Sequence, residues 1–210
     1  MTKRKSNQGY TLVELIIVIA IIAVVAGLSV ISVSLIHSAK AKNAATTVDE
    51  EIATLITKSK NMSSDVPGMQ YAARIYADAN GAYYYQRGYY DPKTMTYDFS
   101  KETEGEGRGV SLSSRVVVKY TGTCENVHFK NDTKKGTVGS SPSGVDTLTV
   151  TEHEIENLCT YTDHPGGGLF IRFAKDGTCD AGVGDIQFYK RNGNIVAHVY
   201  VRANGSHQSK

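Results

Sequence analysis

Tryptophan is absent, proline occurs only 4 times and cysteine only 3 times in 210 residues. Three cysteines close at most one disulfide, which excludes the disulfide-stapled small secreted scaffolds. No Cys-x-x-Cys pair is present to hold a structural zinc ion of the usual kind. An excess of either charge is missing too: 23 Lys and Arg stand against 21 Asp and Glu, a formal net of +2. That is too near neutral for nucleic acid to be the main partner of the whole chain. Pro165-Gly166-Gly167-Gly168 is glycine-rich, but no Gly-Lys-Ser/Thr follows to cradle phosphate and magnesium, so it reads as a turn. A Gly-x-Ser-x-Gly elbow is also lacking, and His128, His164, His198 and His207 are scattered with no nucleophile in a recognisable setting. Glu152-His153-Glu154 and Glu156 have no second ligand cluster to complete a metal site and read as a solvated charged face. Asp176, Asp180 and Asp185 carry the oxygen donors calcium takes, yet read first as solvated loop aspartates. With no catalytic constellation, the chain is expected to be no enzyme and to hold neither cofactor nor metal.

What is present is concentrated at the N-terminus. Lys3, Arg4 and Lys5 precede a polar Ser6-Asn7-Gln8-Gly9, and the chain then turns apolar from Tyr10 to Ile36, with no polar side chain between Leu15 and Leu28. As a helix, Leu12 to Ile36 would extend roughly 37 Å, enough to cross a hydrocarbon core of about 30 Å with some tilt. The basic cluster places the N-terminus in the cytoplasm and the bulk of the chain outside, although Lys40 and Lys42 blunt the asymmetry. A cleaved secretory signal would use Ala39-Lys40-Ala41 as its small-x-small site, but its apolar core should be about 7–15 residues. A plain signal anchor fits the length. Neither accounts for Glu14, a carboxylate near the start of an otherwise apolar helix that needs a partner to offset its desolvation. Cleavage between Gly9 and Tyr10 would create an α-amino group four residues before Glu14, a partner within or between subunits. The bland alternative is headgroup depth, with Glu14 near the positive end of the helix dipole.

Gly9-Tyr10-Thr11-Leu12-Val13-Glu14-Leu15, with a basic leader before it and an apolar helix after it, resembles the cleavage and assembly motif of type IV prepilins and pseudopilins. The resemblance implies cleavage after Gly9 by a prepilin peptidase, N-methylation of Tyr10, and use of Glu14 to register the subunit among other pilins in a filament. It also implies a type IV pilin-like fold, membrane lipid as the partner before assembly, and a pilus or pseudopilus at the cell surface or in the periplasm afterwards. Tyrosine stands where the family more often has phenylalanine. The helix-bending proline common in the family is missing, and only Gly27 loosens that stretch. Loss of residues 1–9 leaves 20 Lys and Arg against 21 Asp and Glu.

No proline occurs before Pro67, and Val48, Ile52, Leu55 and Ile56 share one helical face. The helix is therefore expected to run past the membrane and stop near 60–66, with its soluble face packed on the protein's own sheet rather than on a partner helix. The tyrosines between Met69 and Ser114 predict one or two strands around Ala82–Gln86 and cover of a sheet face. Beside Arg74 and Arg87 they would also suit stacking on bases or sugars. Strands are predicted at Arg115–Tyr120, Asp146–Thr151, Leu169–Ala174, Asp185–Lys190 and Ile195–Ala203, with Asn192-Gly193 as a hairpin turn. The result is α+β: a leader at 1–9, a membrane or filament-core helix at 10–36, a soluble stem at 37–66, and an extracellular β-rich domain at 67–210 whose C-terminal antiparallel sheet packs on the helix. The closing strands and turns are similar in layout to H-type minor pseudopilins and FimT-like minor pilins. Cys124 with Cys159 is the preferred disulfide. For DNA, as in a competence pseudopilus, the candidate contacts are Arg172, Lys175, Lys190, Arg191 and Arg202. A membrane-anchored, uncleaved ligand-binding domain is the rival of a different class.

Overall fold

The computed structural model describes residues 10–61, 65–125, 127–129, 136–140, 146–155, 158–160, 167–191 and 193–210; within these, the side chains at 28–33, 125, 127–129, 136–140, 146–148, 153 and 158–160 are not described. Lys3, Arg4, Lys5 and Gly9 thus lie outside the described residues. The chain divides into two units, Met1–Ile36 and His37–Lys210. One helix, α1 (Leu12–Asn61), supplies the described regular structure of the first unit and the opening element of the second.

In the first unit the described α1 side chains from Leu12 to Gly27 are all exposed, Leu12, Leu15, Ile16, Ile19 and Ile22 among them. Apolar groups on every side of a helix leave no face for water, the pattern of a segment meant for lipid or for other helices. Among the described residues no helix is long and apolar enough to cross a membrane. The described side chains of that stretch stop at Gly27 and resume at Ser34.

In the second unit the helix has an apolar seam: Ala41, Ala44, Ala45, Val48, Ile52 and Leu55 are buried, each three or four residues from another of the set, as one helical face requires. Burying Val48, Ile52 and Leu55 contributes roughly 1.5–3 kcal/mol each. Asn61 ends the helix ahead of Pro67, which has no N–H to continue it.

Two six-stranded antiparallel sheets carry the rest of the core. The first contains β1 (Gln70–Ala77), β2 (Tyr83–Asp91), β3 (Thr96–Asp98), β4 (Val110–Ser113), β10 (Leu169–Phe173) and β11 (Cys179–Ala181), in the order β11-β10-β1-β2-β3 with β4 also paired to β2. The second runs β14-β13-β12-β5-β8-β7, from β5 (Val116–Glu125), β7 (Gly136–Ser140), β8 (Asp146–Glu154), β12 (Val183–Lys190), β13 (Ile195–Val201) and β14 (His207–Ser209). A small pair joins β6 (Val127–Phe129) to β9 (Leu158–Thr160).

The first sheet is covered on both faces, which explains why its strands are tyrosine-rich rather than alternating apolar and charged. Tyr71, Ala73, Ile75, Tyr83 and Tyr85 join the core that includes the helix seam. On the other face Tyr97 stacks on Phe170 at 4.3 Å between ring centres and meets Tyr90 in a tilted contact at 4.9 Å. Gly88 is small because Phe99 lies over it: a Cβ there would come within 2.5 Å of the Phe99 ring. The Arg74 guanidinium sits 4.4 Å from the Tyr76 ring centre and 4.5 Å from that of Phe99, and its Nε donates to Gln86.

In the second sheet, Gly122 and Gly184 face one another across β5 and β12 and make room for Tyr120. The Tyr120 hydroxyl is shared between the carbonyls of Val183 (2.8 Å) and Thr123 (3.0 Å). A Cβ on Gly184 would strike the Thr121 carbonyl and lie 2.9 Å from the Tyr120 ring. Gly184→Ala is therefore expected to destabilise the domain by about 2 kcal/mol, read as a lower urea midpoint with an unchanged slope.

Two exposed turns are closed by aspartates. The Thr178 hydroxyl and amide hold the Asp176 carboxyl below its ordinary pKa, and Ser100 does the same for Asp98. A lowered folded-state pKa means that this stabilisation is present above the ordinary carboxylate value near 4 and is lost as pH falls through the depressed one. Thr178→Val and Ser100→Ala should each return the neighbouring carboxyl toward about 4 in an NMR titration.

Candidate functional site: the N-terminal cap of the apolar helix

The first helical bond runs from the Leu15 amide to the Thr11 carbonyl at 3.2 Å, which makes Thr11 the cap residue and Glu14 the third residue of the helix. A helix start leaves amides without intrahelical acceptors. Here the Glu14 carboxylate accepts from the Thr11 amide and from the Thr11 hydroxyl, both at 2.9 Å, while the Thr11 hydroxyl oxygen accepts from the Glu14 amide at 3.3 Å. This reciprocal arrangement is a capping box, and it places the negative charge at the positive end of the helix dipole. Glu14 has its partner within its own chain, three residues back. Sequence reasoning missed Thr11, although Thr-x-x-Glu before an apolar run is the signal that finds it. Tyr10, just outside the cap, is 88% exposed.

The other candidate residues are dispersed. Arg172, on β10, is buried, with its guanidinium 3.9 Å from the Tyr90 ring centre, 3.6 Å from Asp180 and 3.3 Å from Gln70. It is removed from the set of nucleic-acid contacts because its guanidinium is buried against Tyr90 and Asp180. Lys190 and Arg191 lie at the β12–β13 turn, whereas Arg202 follows the far end of β13. Lys175 is in the turn between β10 and β11. No single patch gathers these cations. The tyrosine-flanked arginines are also engaged: the Arg87 guanidinium donates to both oxygens of Glu51, at 2.6 and 2.8 Å, and to Glu104 at 3.0 Å.

Asp176 closes its turn, Asp180 meets Arg172, and Asp185 accepts from His198 Nδ1 or Gln187 at about 3 Å. No group of three or more His, Cys, Asp or Glu suited to a metal occurs among the described residues. Glu152 accepts from the Tyr189 hydroxyl at 2.8 Å, while Glu156 and the His153 side chain lie outside the described residues, as does His164. Cys124 is a buried thiol whose pKa burial pushes up, the setting of an inert cysteine. The side chain of Cys159, its expected disulfide partner, is not among those described, and the Cys179 thiol donates to the Ala181 carbonyl at 3.1 Å.

A helix that begins in a capped, exposed apolar stretch and is later packed on antiparallel sheets makes this an α+β, type IV pilin-like fold. The chain matches the family model of the prokaryotic N-terminal methylation motif over residues 4–30. That motif is the signature of type IV prepilins and pseudopilins, and it supports a pilin-like precursor with a membrane-anchored N-terminus. No curated protein matches the chain, and no solved structure does.

Thr11→Val deletes the hydroxyl that both accepts from and donates to Glu14. It should loosen the helix start by about 1 kcal/mol, seen as amide exchange faster by roughly fivefold at residues 12–15 with no change in the β-rich unit.

Proposed function

We propose that the chain is a structural subunit, of the minor kind, of a type IV pilus or of a type II secretion-like pseudopilus. A prepilin peptidase removes residues 1–9 after Gly9, and Tyr10 becomes the methylated N-terminal residue. Residues 10–36 stay in the membrane, with the N-terminus on the cytoplasmic side, until the subunit is drawn into the filament among other pilins. The β-rich domain then faces outward. The observation that carries this reading is the methylation motif at residues 4–30, whose carboxylate, Glu14, follows the proposed new N-terminus by four residues.

The chemistry follows from charge in a poor solvent. A new α-amine at Tyr10 and the Glu14 carboxylate of a neighbour, about 4 Å apart, attract by about 4 kcal/mol at an effective dielectric near 20, before desolvation is subtracted. The apolar helices supply adhesion, and the charge pair selects the axial register in which the amine is not left bare.

Two measurements on the native host test the proposal. Intact-mass and N-terminal analysis should give a chain beginning at methylated Tyr10 only when the prepilin peptidase is present; a chain that keeps Met1 or starts near Asn43 rules the reading out. Glu14→Gln should be processed normally but enter sheared filaments about tenfold less often, as expected for the loss of about 1.4 kcal/mol of pairing. Equal incorporation of this variant would remove Glu14 from the assembly mechanism.

A further inference from the structure

Asparagine precedes glycine at Asn80-Gly81, Asn192-Gly193 and Asn204-Gly205. Asn192 lies outside the described residues. The other two pairs close the β1–β2 and β13–β14 hairpins, and Asp176-Gly177 closes β10–β11 in the same way. These three turns share one backbone. The residue before the loop donates its amide to the carbonyl four residues on, and the glycine amide donates back to that first residue: Asp78 to Ala82 at 2.9 Å and Gly81 to Asp78 at 3.0 Å, Arg202 to Ser206 and Gly205 to Arg202 both at 2.9 Å, Ala174 to Thr178 at 2.8 Å and Gly177 to Ala174 at 2.9 Å. Each glycine has the positive φ that ends a three-residue hairpin loop, 72° at Gly81, 78° at Gly205 and 89° at Gly177.

What differs is the side chain before the glycine. Asn204 Oδ1 accepts from the Ser206 amide at 3.0 Å and the Ser206 hydroxyl at 2.8 Å. Asp176 Oδ1 is held identically by Thr178, at 2.8 and 2.7 Å. In the third turn Ala82 stands where those hydroxyl residues stand, and its amide is already taken by Asp78 Oδ1 at 2.9 Å, as is the Asn80 amide. The Asn80 carboxamide has no hydrogen bond among the described residues. The surroundings differ as well: a Cβ on Gly205 would fall on the Gly177 carbonyl, whereas one on Gly81 would meet nothing within 4 Å. Asn80 itself is exposed.

We propose that Asn80 is a site of spontaneous deamidation, with water as the only co-reactant, and that the same chemistry is suppressed at Asn204 by Ser206. The Gly81 nitrogen gives up its proton to solvent base and its lone pair attacks Asn80 Cγ. The bond from Cγ to the carboxamide nitrogen breaks, and ammonia leaves with a proton drawn from water, closing a five-membered succinimide. Water then opens the ring. Cleavage at Cγ gives aspartate, and cleavage at the Asn80 main-chain carbonyl gives isoaspartate, whose backbone is longer by one methylene. Attacker and target are neighbours in the chain, so no encounter has to be arranged, and glycine has no Cβ to obstruct the ring. The one bond in the way, from the Gly81 amide to the Asp78 carbonyl, breaks whenever the exposed turn opens locally. At Asn204 the same opening must also release both bonds from Ser206. Conversion places a new negative charge two residues from Asp78. The inference is independent of the filament reading, because every residue in it belongs to the second unit.

The test incubates the full-length protein in detergent in warm, mildly alkaline buffer and digests samples at mildly acid pH. Mass spectrometry of each peptide reads the mass gained when a carboxamide becomes a carboxylic acid, and enzymatic methyl transfer reads isoaspartate. Asn80 should convert with first-order kinetics, roughly tenfold faster than Asn204, the factor expected when two further hydrogen bonds must be released. In urea strong enough to unfold the domain the two rates should converge, because both asparagines are followed by glycine. Ser206→Ala, an exposed change, should speed conversion of Asn204 severalfold and leave Asn80 as it was. The proposal fails if Asn80 in the folded protein stays intact over the time in which the unfolded chain converts, or if Asn204 converts as fast as Asn80. It also fails if the gap between them persists in urea, which would make it a property of the local sequence, or if Ser206→Ala leaves the Asn204 rate unchanged.

Discussion

The seam Ala41, Ala44, Ala45, Val48, Ile52 and Leu55 is what the rest of the second unit depends on. An apolar helix stripe and the inner face of a sheet must each be buried against another element, and the seam shares one core with strands of both sheets. Here one face of one helix supplies part of the missing apolar surface. Alanine at the first three positions keeps that end thin, and the larger Val48, Ile52 and Leu55 fill the other end. The polar contacts of the stem fall beside this seam: Glu51 with Arg87, and Asp49 with Ser209 at 3.2 Å. Each lies within a turn of a buried position, so the seam fixes which helix face the charges present and thus which strands they meet.

Aromatic rings and glycines are exchanged across the sheets by the same rule of close packing. Phe99 occupies the room that a side chain at Gly88 would need, and Tyr120 occupies that of Gly122 and Gly184. Tyr97, Phe170 and Tyr90 form a contiguous aromatic layer over the outer face of the first sheet. That layer explains how a tyrosine-rich segment avoids becoming an adhesive surface: its rings are turned inward or toward one another, and Arg74 is held between Tyr76 and Phe99.

Much of this was legible in the sequence, and the parts that were not share a cause. The helix over Leu12–Asn61 followed from its apolar content and the lack of proline before Pro67; the strands β5, β8, β10, β12 and β13 followed from β-branched runs separated by turn residues. The α+β class followed from their order. By contrast, β1 was not predicted, because Gln70–Ala77 is buried on both faces in part and shows no alternation. Arg172 was misread for a related reason: a cation on a strand gives no local sign that Tyr90 and Gln70, distant in the chain, will join Asp180 around it. The capping role of Thr11 is local and was readable.

The capping box at the head of α1 bears on the energetics of joining and leaving a filament. In the free subunit the Glu14 carboxylate already receives the Thr11 amide and hydroxyl. Entering a filament of the kind proposed would therefore trade those bonds for a new amine partner rather than satisfy an idle charge, and the difference between two occupied states is smaller than the strength of either. In the proposed filament the net gain at this residue would then be the roughly 1.4 kcal/mol that a tenfold effect represents, less than the full attraction of the pair. In such a filament the direction of travel would be left to the work done on the subunit, and the polymer could be dismantled subunit by subunit without any bond in it having to be weak.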